Sequence, residues 1–458
     1  MWLGLAASNC GRDLDALLHG VLRSSIIVET GGRSGHREGD KVDKVLAIVM
    51  AGGAGERLQP LTKARSKGAV PFGGKFRLID FTLSNCINSG LRRIYVLTQY
   101  LSESLNRHIQ EGWAISSSGL GDYIYSIPAQ QKFGADWYRG TADAVRQNLD
   151  IVRRDTVDNI LILSGDHIYK MDYLRFMAYH QTRKADLTVS AIKVTREQAS
   201  GRLGVLEVDR ESRLVGFEEK AAPPKTLVDA PGFAFASMGV YLFKVSALLQ
   251  ALENEGEDFG KDIIPQMLRR EKVIFAYDYE KENTIEDFDV KVKDGVREKI
   301  LVEKTRDSSY WKDVGTIDSY YEANMELVRV DPVFSLYGDR WPFRTYQRPL
   351  PPTKCILGGR VSDSIVCDGC IVSGGSVLGS ILSPGAIVER DAIVEQSIIF
   401  DDVVIEPGAR IRRAIVDKES RIRAGALVGY DREADRRRGC TVSDSGISVV
   451  PKGADMGR

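Results

Sequence analysis

The sequence has few cysteines and few histidines, and both scarcities exclude classes of chemistry. Its six cysteines are thinly spread over 458 residues, which is typical of reduced thiols in a cytosolic protein. Cys367 and Cys370 form one isolated pair without a nearby histidine, so packing is favoured over a zinc or redox site. The five histidines form no Ser–His or Cys–His pattern, so the sequence offers no conventional acid–base dyad.

Long apolar runs and an excess of one charge are also missing. No apolar stretch approaches membrane-spanning length. Basic and acidic residues number 63 each, so bulk attraction to nucleic acid or to an anionic membrane is not expected. Two familiar phosphate loops are absent as well: no Walker ending occurs, and Leu58 stands where a G-x-G-x-x-G motif needs glycine.

A glycine-rich turn follows the first strongly apolar segment. The run from Val45 to Met50 reads as a buried parallel strand, and ligands collect where such strands end. Glycine allows backbone N–H groups to approach a phosphate closely. The turn contains Gly52, Gly53 and Gly55. The turn is followed by three basic residues with mobile side chains, Arg57, Arg65 and Lys67. Together these residues predict a polyphosphate site.

Two aspartates are expected at the same edge of the sheet. Asp166 follows the apolar run 160–163, and Asp313 lies in the segment YWKDVGT. Either one alone would be read as a turn or helix-cap residue. Two carboxylates facing a phosphate loop suit Mg²⁺, which prefers one or two carboxylates plus substrate phosphates. A phosphate monoester is already mostly dianionic at neutral pH. It could therefore attack the α-phosphate of a nucleotide at this site without a general base.

Other motifs supply candidate substrate contacts. The segment 128–144 leads into a predicted helix near Thr141, whose N-terminal N–H groups could hold an anion. Gln130 and Gln131 have the donors and acceptors needed to read a base edge. Glu219 and Lys220 close a predicted strand, where they could bind sugar hydroxyls and a phosphate, although a solvated ion pair is the commoner arrangement.

Residues 44–277 alternate strand and helix patterns, which predicts a Rossmann-like α/β domain with a mostly parallel sheet. Residues 280–307 are highly charged and are expected to form a surface excursion. The predicted strands include 94–97, 160–163 and 187–194. The predicted helices are 81–89, 101–111, 141–154, 171–182 and 318–330.

Beyond residue 352 aliphatic residues recur at every sixth position, which is the period of a hexapeptide-repeat β-helix. About three to four coils are expected, with the recurring aliphatics pointing inward. They are Ile365, Ile371, Val377, Ile387, Ile393, Ile399, Ile405, Ile411, Val416, Ile422 and Val428. The predicted organisation is a disordered extension at 1–43, a catalytic α/β domain at 44–330, a linker at 331–352, and a left-handed β-helix with its tail at 353–458.

Together these segments resemble the bacterial ADP-glucose pyrophosphorylases. The resemblance covers residues 44 to about 450. It rests on the motifs AGGAGERLQPLT, FGGKFRLIDFTLSNCINSG, PAQQ, WYRGTADAV, GDHIYKMDY, FGKDIIP and YWKDVGT, followed by the hexapeptide repeats. It implies conversion of ATP and glucose 1-phosphate to ADP-glucose and diphosphate, for glycogen synthesis, by a cytoplasmic homotetramer regulated by sugar phosphates and AMP-type effectors.

The resemblance also assigns roles to residues. Arg57 and Lys67 would engage the ATP phosphates, and Asp166 and Asp313 would hold Mg²⁺. The implied nucleotide contacts are Gly52, Gly53, Gly55, Gln130, Gln131 and Gly140. Five positions match residues that bind glucose 1-phosphate or ADP-glucose: Tyr138, Gly204, Glu219, Lys220 and Ser237. Basic positions of the effector site are matched by Arg65, Arg77 and Lys418.

The sequence departs from the family pattern near the effector positions. Ser66 and Gly68 flank Lys67 where the family commonly has alanine and proline, and Ala64 stands where some members carry an activator lysine. These departures bear on the identity of the effector. For the reaction itself two alternatives stay open: a UDP- or dTDP-glucose pyrophosphorylase, and a non-catalytic regulatory subunit. An acyl-transferring β-helix is disfavoured, since no histidine follows His180.

Overall fold

The fold is given by a computed structural model that describes residues 44–114, 121–130, 137–154, 156–253, 255–294 and 296–457. The disorder predicted for residues 1–43 and the nucleotide contact predicted for Gln131 lie outside the described residues. In the described part of the chain, no helix is both long and apolar enough to cross a membrane.

The strands before residue 314 are β1 (Val45–Ala51), β2 (Pro71–Phe72), β3 (Phe76–Arg77), β4 (Arg93–Thr98), β5 (Tyr123–Pro128), β6 (Asn159–Ser164), β7 (His167–Tyr169), β8 (Leu187–Thr195), β9 (Gly204–Val208), β10 (Leu214–Glu219), β11 (Phe233–Lys244), β12 (Ile274–Asp278), β13 (Asp287–Lys293), β14 (Val296–Val302) and β15 (Trp311–Asp313). The α-helices are α1 (Leu78–Asn88), α2 (Glu103–Gly112), α3 (Thr141–Arg146), α4 (Leu149–Arg154), α5 (Tyr173–Thr182), α6 (Arg196–Ala199), α7 (Val245–Leu252), α8 (Ile264–Arg269), α9 (Tyr279–Glu282), α10 (Ile317–Leu327) and α11 (Arg432–Arg437).

One nine-stranded sheet organises the first part of the chain. Its main path runs β5-β4-β1-β6-β11-β9-β10, with β8 paired to β11 and β12 paired to β8. All of its strands except β10 and β11 run in the same direction. Strand β1 is buried on both faces: Val45, Ala47 and Val49 join one apolar cluster, and Leu46 and Ile48 join another. The mostly parallel α/β sheet predicted from the sequence is confirmed.

The predicted helix 141–154 is wrong as a single element, because it is broken between α3 and α4. The side-chain amide of Asn148 donates to the carbonyl of Ala144 at 2.8 Å. That carbonyl would otherwise accept the Asn148 backbone N–H, which instead donates to Val145. The surface excursion expected at residues 280–307 contains an antiparallel hairpin, in which β13 pairs with β14.

The C-terminal region is the predicted left-handed parallel β-helix. Its strands are β16 (Lys354–Ile356), β17 (Arg360–Ser362), β18 (Ile365–Val366), β19 (Ile371–Ser373), β20 (Ser376–Leu378), β21 (Ile381–Leu382), β22 (Ile387–Val388), β23 (Ile393–Glu395), β24 (Ile398–Ile399), β25 (Val404–Ile405), β26 (Arg410–Arg412), β27 (Ala414–Val416), β28 (Arg421–Ile422), β29 (Leu427–Val428), β30 (Thr441–Val442), β31 (Ser448–Val450) and β32 (Asp455–Met456). They stack into three sheets, with four uninterrupted coils and a fifth that α11 interrupts.

The inward register differs from the prediction in the first coils. Ile365, Ile371, Ile387 and Ile393 are only partly buried. The following valines take the inward positions, so that Val372 and Val388 are completely buried and continue in register to Ile405. From Ile399 onward the predicted residues do point inward: Ile399, Ile405, Ile411, Val416, Ile422 and Val428 are completely buried, as is Val377.

The β-helix packs against the first part of the chain through a shared apolar cluster. One of its sheets contributes Ile381, Ile398 and Ile415, which join Leu58 and Phe72 in the same cluster. The predicted linker, residues 331–352, also contributes to it, because its Phe334 is completely buried. The β-helix thus completes a core that begins beside the glycine-rich loop.

The register correction can be tested with two identical substitutions. Ile411→Ala removes a completely buried side chain and should lower the free energy of unfolding by roughly 2–5 kcal/mol. Ile393→Ala removes a partly exposed side chain from the preceding coil and should cost less than half as much. Urea denaturation of both variants measures the difference. Equal losses of unfolding free energy would contradict the inward position of Ile411 and the outward position of Ile393.

Candidate active site

The glycine-rich loop leaves β1 at the carboxyl edge of the sheet. Neighbouring strands end beside it, since Ala51 pairs with Thr98 and Met50 with Ser164. Gly55 has a φ of +64°, which favours glycine, and an added methyl group would lie 3.2 Å from Lys67 Cβ. Gly53 has open space around its Cα, so a ligand can approach the backbone there.

Asp313 reaches Asp166 because β15 pairs antiparallel with β7. In this short ladder Asp313 lies opposite His167, the residue that follows Asp166. Asp166 lies two residues beyond the end of β6, and its carboxylate accepts a hydrogen bond from the Ser164 hydroxyl. The structure therefore brings the two predicted carboxylates together at the edge where the glycine-rich loop lies.

Lys67 lies between the two carboxylates. Its Nζ is 2.8 Å from Asp166 Oδ2 and 3.1 Å from Asp313 Oδ1. Burial opposes charge on all three groups, but their mutual attraction outweighs it: the pKa of Lys67 is raised, and those of Asp166 and Asp313 are lowered. All three groups are consequently charged at neutral pH.

Arg57 is exposed and lies near the same carboxylates. A methyl group added to Gly315 would be 3.2 Å from Arg57 Nη2 and 3.1 Å from each Asp313 carboxylate oxygen. Gly315 therefore leaves room where the guanidinium and the carboxylate approach each other. The structure thus brings Arg57, Lys67, Asp166 and Asp313 to one site.

The donor set fits a hard divalent cation. The two carboxylates already hold one positive charge between them, in the form of the Lys67 ammonium. No group of three or more metal-ligating side chains occurs among the described residues, so a cation here would draw its other ligands from substrate or water. Mg²⁺ accepts such a coordination shell readily. Asp166 and Asp313 would be its protein ligands.

Glu219 and Lys220 close β10 and form an ion pair of 3.2 Å. Burial raises the pKa of the Glu219 carboxyl, although Lys220 opposes this. Methyl groups added to Gly204 and Gly260 would be 2.7 Å and 2.5 Å from Glu219 Oε2, so both glycines make room for this carboxylate. Lys220 has a φ of +51°, and its side chain is largely exposed.

Two further predicted sugar contacts have defined partners. Ser237 lies on β11 beside Tyr241, with 3.4 Å between their hydroxyl oxygens. The Tyr138 hydroxyl accepts a hydrogen bond of 2.8 Å from Asn148, and its pKa is raised by burial. Burial raises the pKa of the Tyr241 hydroxyl, and the nearby negative charge of Glu219 raises it further. The Ser237 region therefore lies close to the end of β10.

The predicted anion site at the start of α3 is wrong, because its N–H groups are occupied. The N–H groups of Ala142 and Asp143 both donate to the Glu257 carbonyl, at 2.8 and 3.1 Å. Gly140 allows this close approach, since an added methyl group would be 2.3 Å from that oxygen. Gln130 is exposed just beyond β5, at the same edge of the sheet as the glycine-rich loop.

Two polar side chains at the site were missed by the sequence prediction. The ring of His167 packs edge to face against that of Trp311, with 5.1 Å between the ring centroids. His167 Nε2 is 3.6 Å from Asp166 Oδ1. His167 Nδ1 and Trp311 Nε1 have no hydrogen-bond partner among the described residues. Both residues belong to the motifs GDHIYKMDY and YWKDVGT, of which only the aspartates were predicted to act at the site.

Arg65, Arg77 and Lys418 line one cavity of about 730 Å³ between the first part of the chain and the β-helix. Arg65 forms a bidentate pair with Asp417, with both N–O distances at 2.9 Å. Lys418 Nζ lies 2.5 Å from Asp401 Oδ2, and Arg77 Nη1 lies 3.9 Å from the same oxygen. The three predicted effector residues are thus brought together, each beside a β-helix carboxylate.

Known proteins match nearly the whole chain. The model of the nucleotidyl transferase family matches residues 46–329, and that of the GlmU-like C-terminal hexapeptide matches residues 351–450. A protein of Rhodopirellula baltica named glucose-1-phosphate adenylyltransferase is 43% identical over 90% of each chain. The chain belongs to the glucose-1-phosphate adenylyltransferase family.

Other members of the glucose-1-phosphate adenylyltransferase family are similarly close. The protein of that name from Anaeromyxobacter sp. is 45% identical over 89% of this chain and 98% of its own. The one from Shewanella sp. strain ANA-3 is 42% identical over 89% of this chain and 94% of its own. The chain is thus a nucleotidyltransferase, and enzymes of this kind generally use divalent metal ions.

Replacing Lys67 tests the charge balance of the site without an activity assay. Lys67→Met leaves two close carboxylates without their ammonium, so the free energy of unfolding should fall by roughly 3 kcal/mol at pH 8. Millimolar MgCl₂ should raise the thermal unfolding midpoint more in this variant than in the wild type, because the cation replaces the lost charge.

Lys63→Met, which alters an exposed lysine nearby, is the matched control. Its response to MgCl₂ should equal that of the wild type. Identical MgCl₂ responses in all three proteins would contradict a cation site at Asp166 and Asp313.

Proposed function

We propose that this enzyme transfers the adenylyl group of ATP to glucose 1-phosphate, releasing diphosphate and forming ADP-glucose. The observation that carries the proposal is the joint placement of Lys67, Asp166 and Asp313 beside the glycine-rich loop at one sheet edge. The names of the relatives support the choice of ATP and glucose 1-phosphate.

The residues would divide the work between charge and position. Backbone N–H groups at Gly52, Gly53 and Gly55 would face the triphosphate, with the Arg57 guanidinium beside them. Lys67 would exchange one of its carboxylate partners for a phosphate oxygen. Asp166 and Asp313 would hold Mg²⁺, which supplies neutralisation of the triphosphate charge when bound. The sugar phosphate attacks as its own dianion, so these residues need only align it.

The sugar would bind at the other end of the site. Glu219 would accept hydrogen bonds from sugar hydroxyls, with Gly204 leaving it room and Ser237 beside it. Lys220 would exchange its Glu219 partner for the sugar phosphate. Tyr138 and Gly140 would border the substrates, and Gln130 and Gln131 would read the adenine edge.

The cavity containing Arg65, Arg77 and Lys418 would bind sugar-phosphate or AMP-type effectors. Its connection with the active site supports this proposal. Arg77 directly precedes α1, and its backbone N–H donates to the Asp80 carboxylate at 2.7 Å. Thr82 of α1 donates a hydrogen bond of 2.8 Å to the carbonyl of Ser164, two residues before Asp166. We further propose a cytoplasmic homotetramer acting in glycogen synthesis.

The reaction is tested by measuring diphosphate release from the full chain with Mg²⁺, glucose 1-phosphate and each nucleoside triphosphate in turn. Turnover that requires ATP is expected. Faster turnover with UTP or dTTP would overturn the adenylyl assignment, and no turnover with any nucleotide would favour a regulatory subunit.

Asp166→Asn shows whether that turnover belongs to this site. Turnover should fall by about 100-fold or more, since a charge that stabilises the transferred group is lost. Asp158→Asn, which changes an exposed aspartate just before the same strand, should retain wild-type turnover. Normal rates in a folded Asp166→Asn protein would contradict the catalytic role of Asp166.

Effector binding should depend on pH through Lys418. Burial and the nearby Arg77 and Arg65 charges lower the pKa of Lys418 from an ordinary 10.5 to about 8, although Asp401 opposes them. An anion binds best to the protonated ammonium. Affinity for sulfate, whose charge is constant, should therefore hold below pH 8 and fall by up to about tenfold per pH unit above it.

Isothermal titration calorimetry between pH 7 and pH 9 measures this dependence. Lys418→Arg keeps its charge throughout that range and should bind sulfate with nearly constant affinity. A wild-type affinity that does not change across pH 8 would contradict the role given to Lys418.

A further inference from the structure

The effector cavity already contains an anion of its own. The Asp401 carboxylate lies between Arg77 and Lys418, and one of its oxygens faces both cations, at 3.9 Å and 2.5 Å. Only 11% of the Asp401 side chain is exposed. Burial alone would favour a neutral carboxyl, but the charges of Arg77 and Lys418 lower its pKa, so Asp401 is ionised at neutral pH.

Arg65, which lines the same cavity, has a different acidic partner. Asp417 binds Arg65 through two parallel hydrogen bonds, and Arg65 also donates to the Leu61 carbonyl at 3.0 Å. Both side chains are about 95% buried or more. Breaking this pair would leave buried charges without partners, which is costly. Arg65 is therefore committed to the contact with the β-helix.

Arg77 and Lys418 are less buried than Arg65, and they share one carboxylate partner, Asp401. Arg77 is 20% exposed, and its 3.9 Å distance from Asp401 is too long for a direct hydrogen bond. Together the two cations carry one more charge than the single carboxylate between them. A phosphate dianion in place of that carboxylate would balance them both, whereas a second monoanion would only match Asp401.

We infer that Asp401 is an internal competitor for the effector site: its carboxylate occupies the anion position between Arg77 and Lys418, and a phosphate dianion must displace it to bind. This inference rests on the proposed effector role of the cavity. Asp401 thereby weakens the affinity for every anion that binds between Arg77 and Lys418. It also links binding to a change of partner for Arg77, which connects α1 with the β-helix.

The test is calorimetric titration of the full chain with inorganic phosphate at pH 7.5. Asp401→Asn keeps the size of the side chain but removes its charge, and should tighten phosphate binding by about tenfold or more. Asp401→Glu keeps the charge and should bind no more tightly than the wild type. Phosphate binding at the glycine-rich loop is common to all variants and cancels in the comparison.

Asp402→Asn is the matched control. Asp402 lines the same cavity and has the same charge, but it pairs with Arg348 and is half exposed. It should tighten phosphate binding by less than about threefold. Equal effects of Asp401→Asn and Asp402→Asn would show a general charge effect and overturn the inference, as would unchanged affinity in Asp401→Asn.

Two further measurements complete the test. Acetate should gain affinity in Asp401→Asn by a factor similar to that of phosphate, because either anion displaces the same carboxylate. A gain confined to one of the two anions would overturn the inference. If no variant binds phosphate in the cavity, both the effector proposal and this inference fail. Diphosphate release by the same preparations reports the proposed reaction separately, and thermal unfolding confirms that each variant is folded.

Discussion

The site depends on one shared ammonium group. Asp166 and Asp313 come from segments far apart in sequence, and both are shielded from solvent over most of their surface. Two such carboxylates repel each other strongly when nothing positive lies between them. Lys67 removes that repulsion, and the β7–β15 pairing then holds the carboxylates in a fixed relation. The fold can therefore keep the two carboxylates close together by means of its own side chains.

The sequence identified those features that depend on one segment at a time. The unbroken apolar run of β1 follows from burial on both faces, and Asp166 lies where a strand ends and ligands collect. Asp313 was expected at the same edge, but no local pattern fixes it there, because its position depends on pairing with a distant strand. His167 and Trp311 were missed since their packing against each other also arises from that pairing.

Where the prediction failed, the competing contact was not visible in the local pattern. Ile387-Val388 and Ile393-Val394 offer two adjacent aliphatics, so a six-residue period cannot decide which of them points inward. The N–H groups of α3 are taken by Glu257, which is more than a hundred residues away in sequence. The Asp401 carboxylate beside Arg77 and Lys418 was missed for the same reason, because the sequence shows basic residues without their distant partners.

The shared apolar cluster has a consequence for how the protein is made. Leu58 and Phe72 are synthesised about 340 residues or more before Ile415 and Val449, which pack in the same cluster. During translation the growing catalytic region therefore carries an uncovered apolar face until the final coils leave the ribosome. A chain that stops short of those coils keeps that face open beside its nucleotide loop, and becomes a target for chaperones and proteases rather than a smaller enzyme.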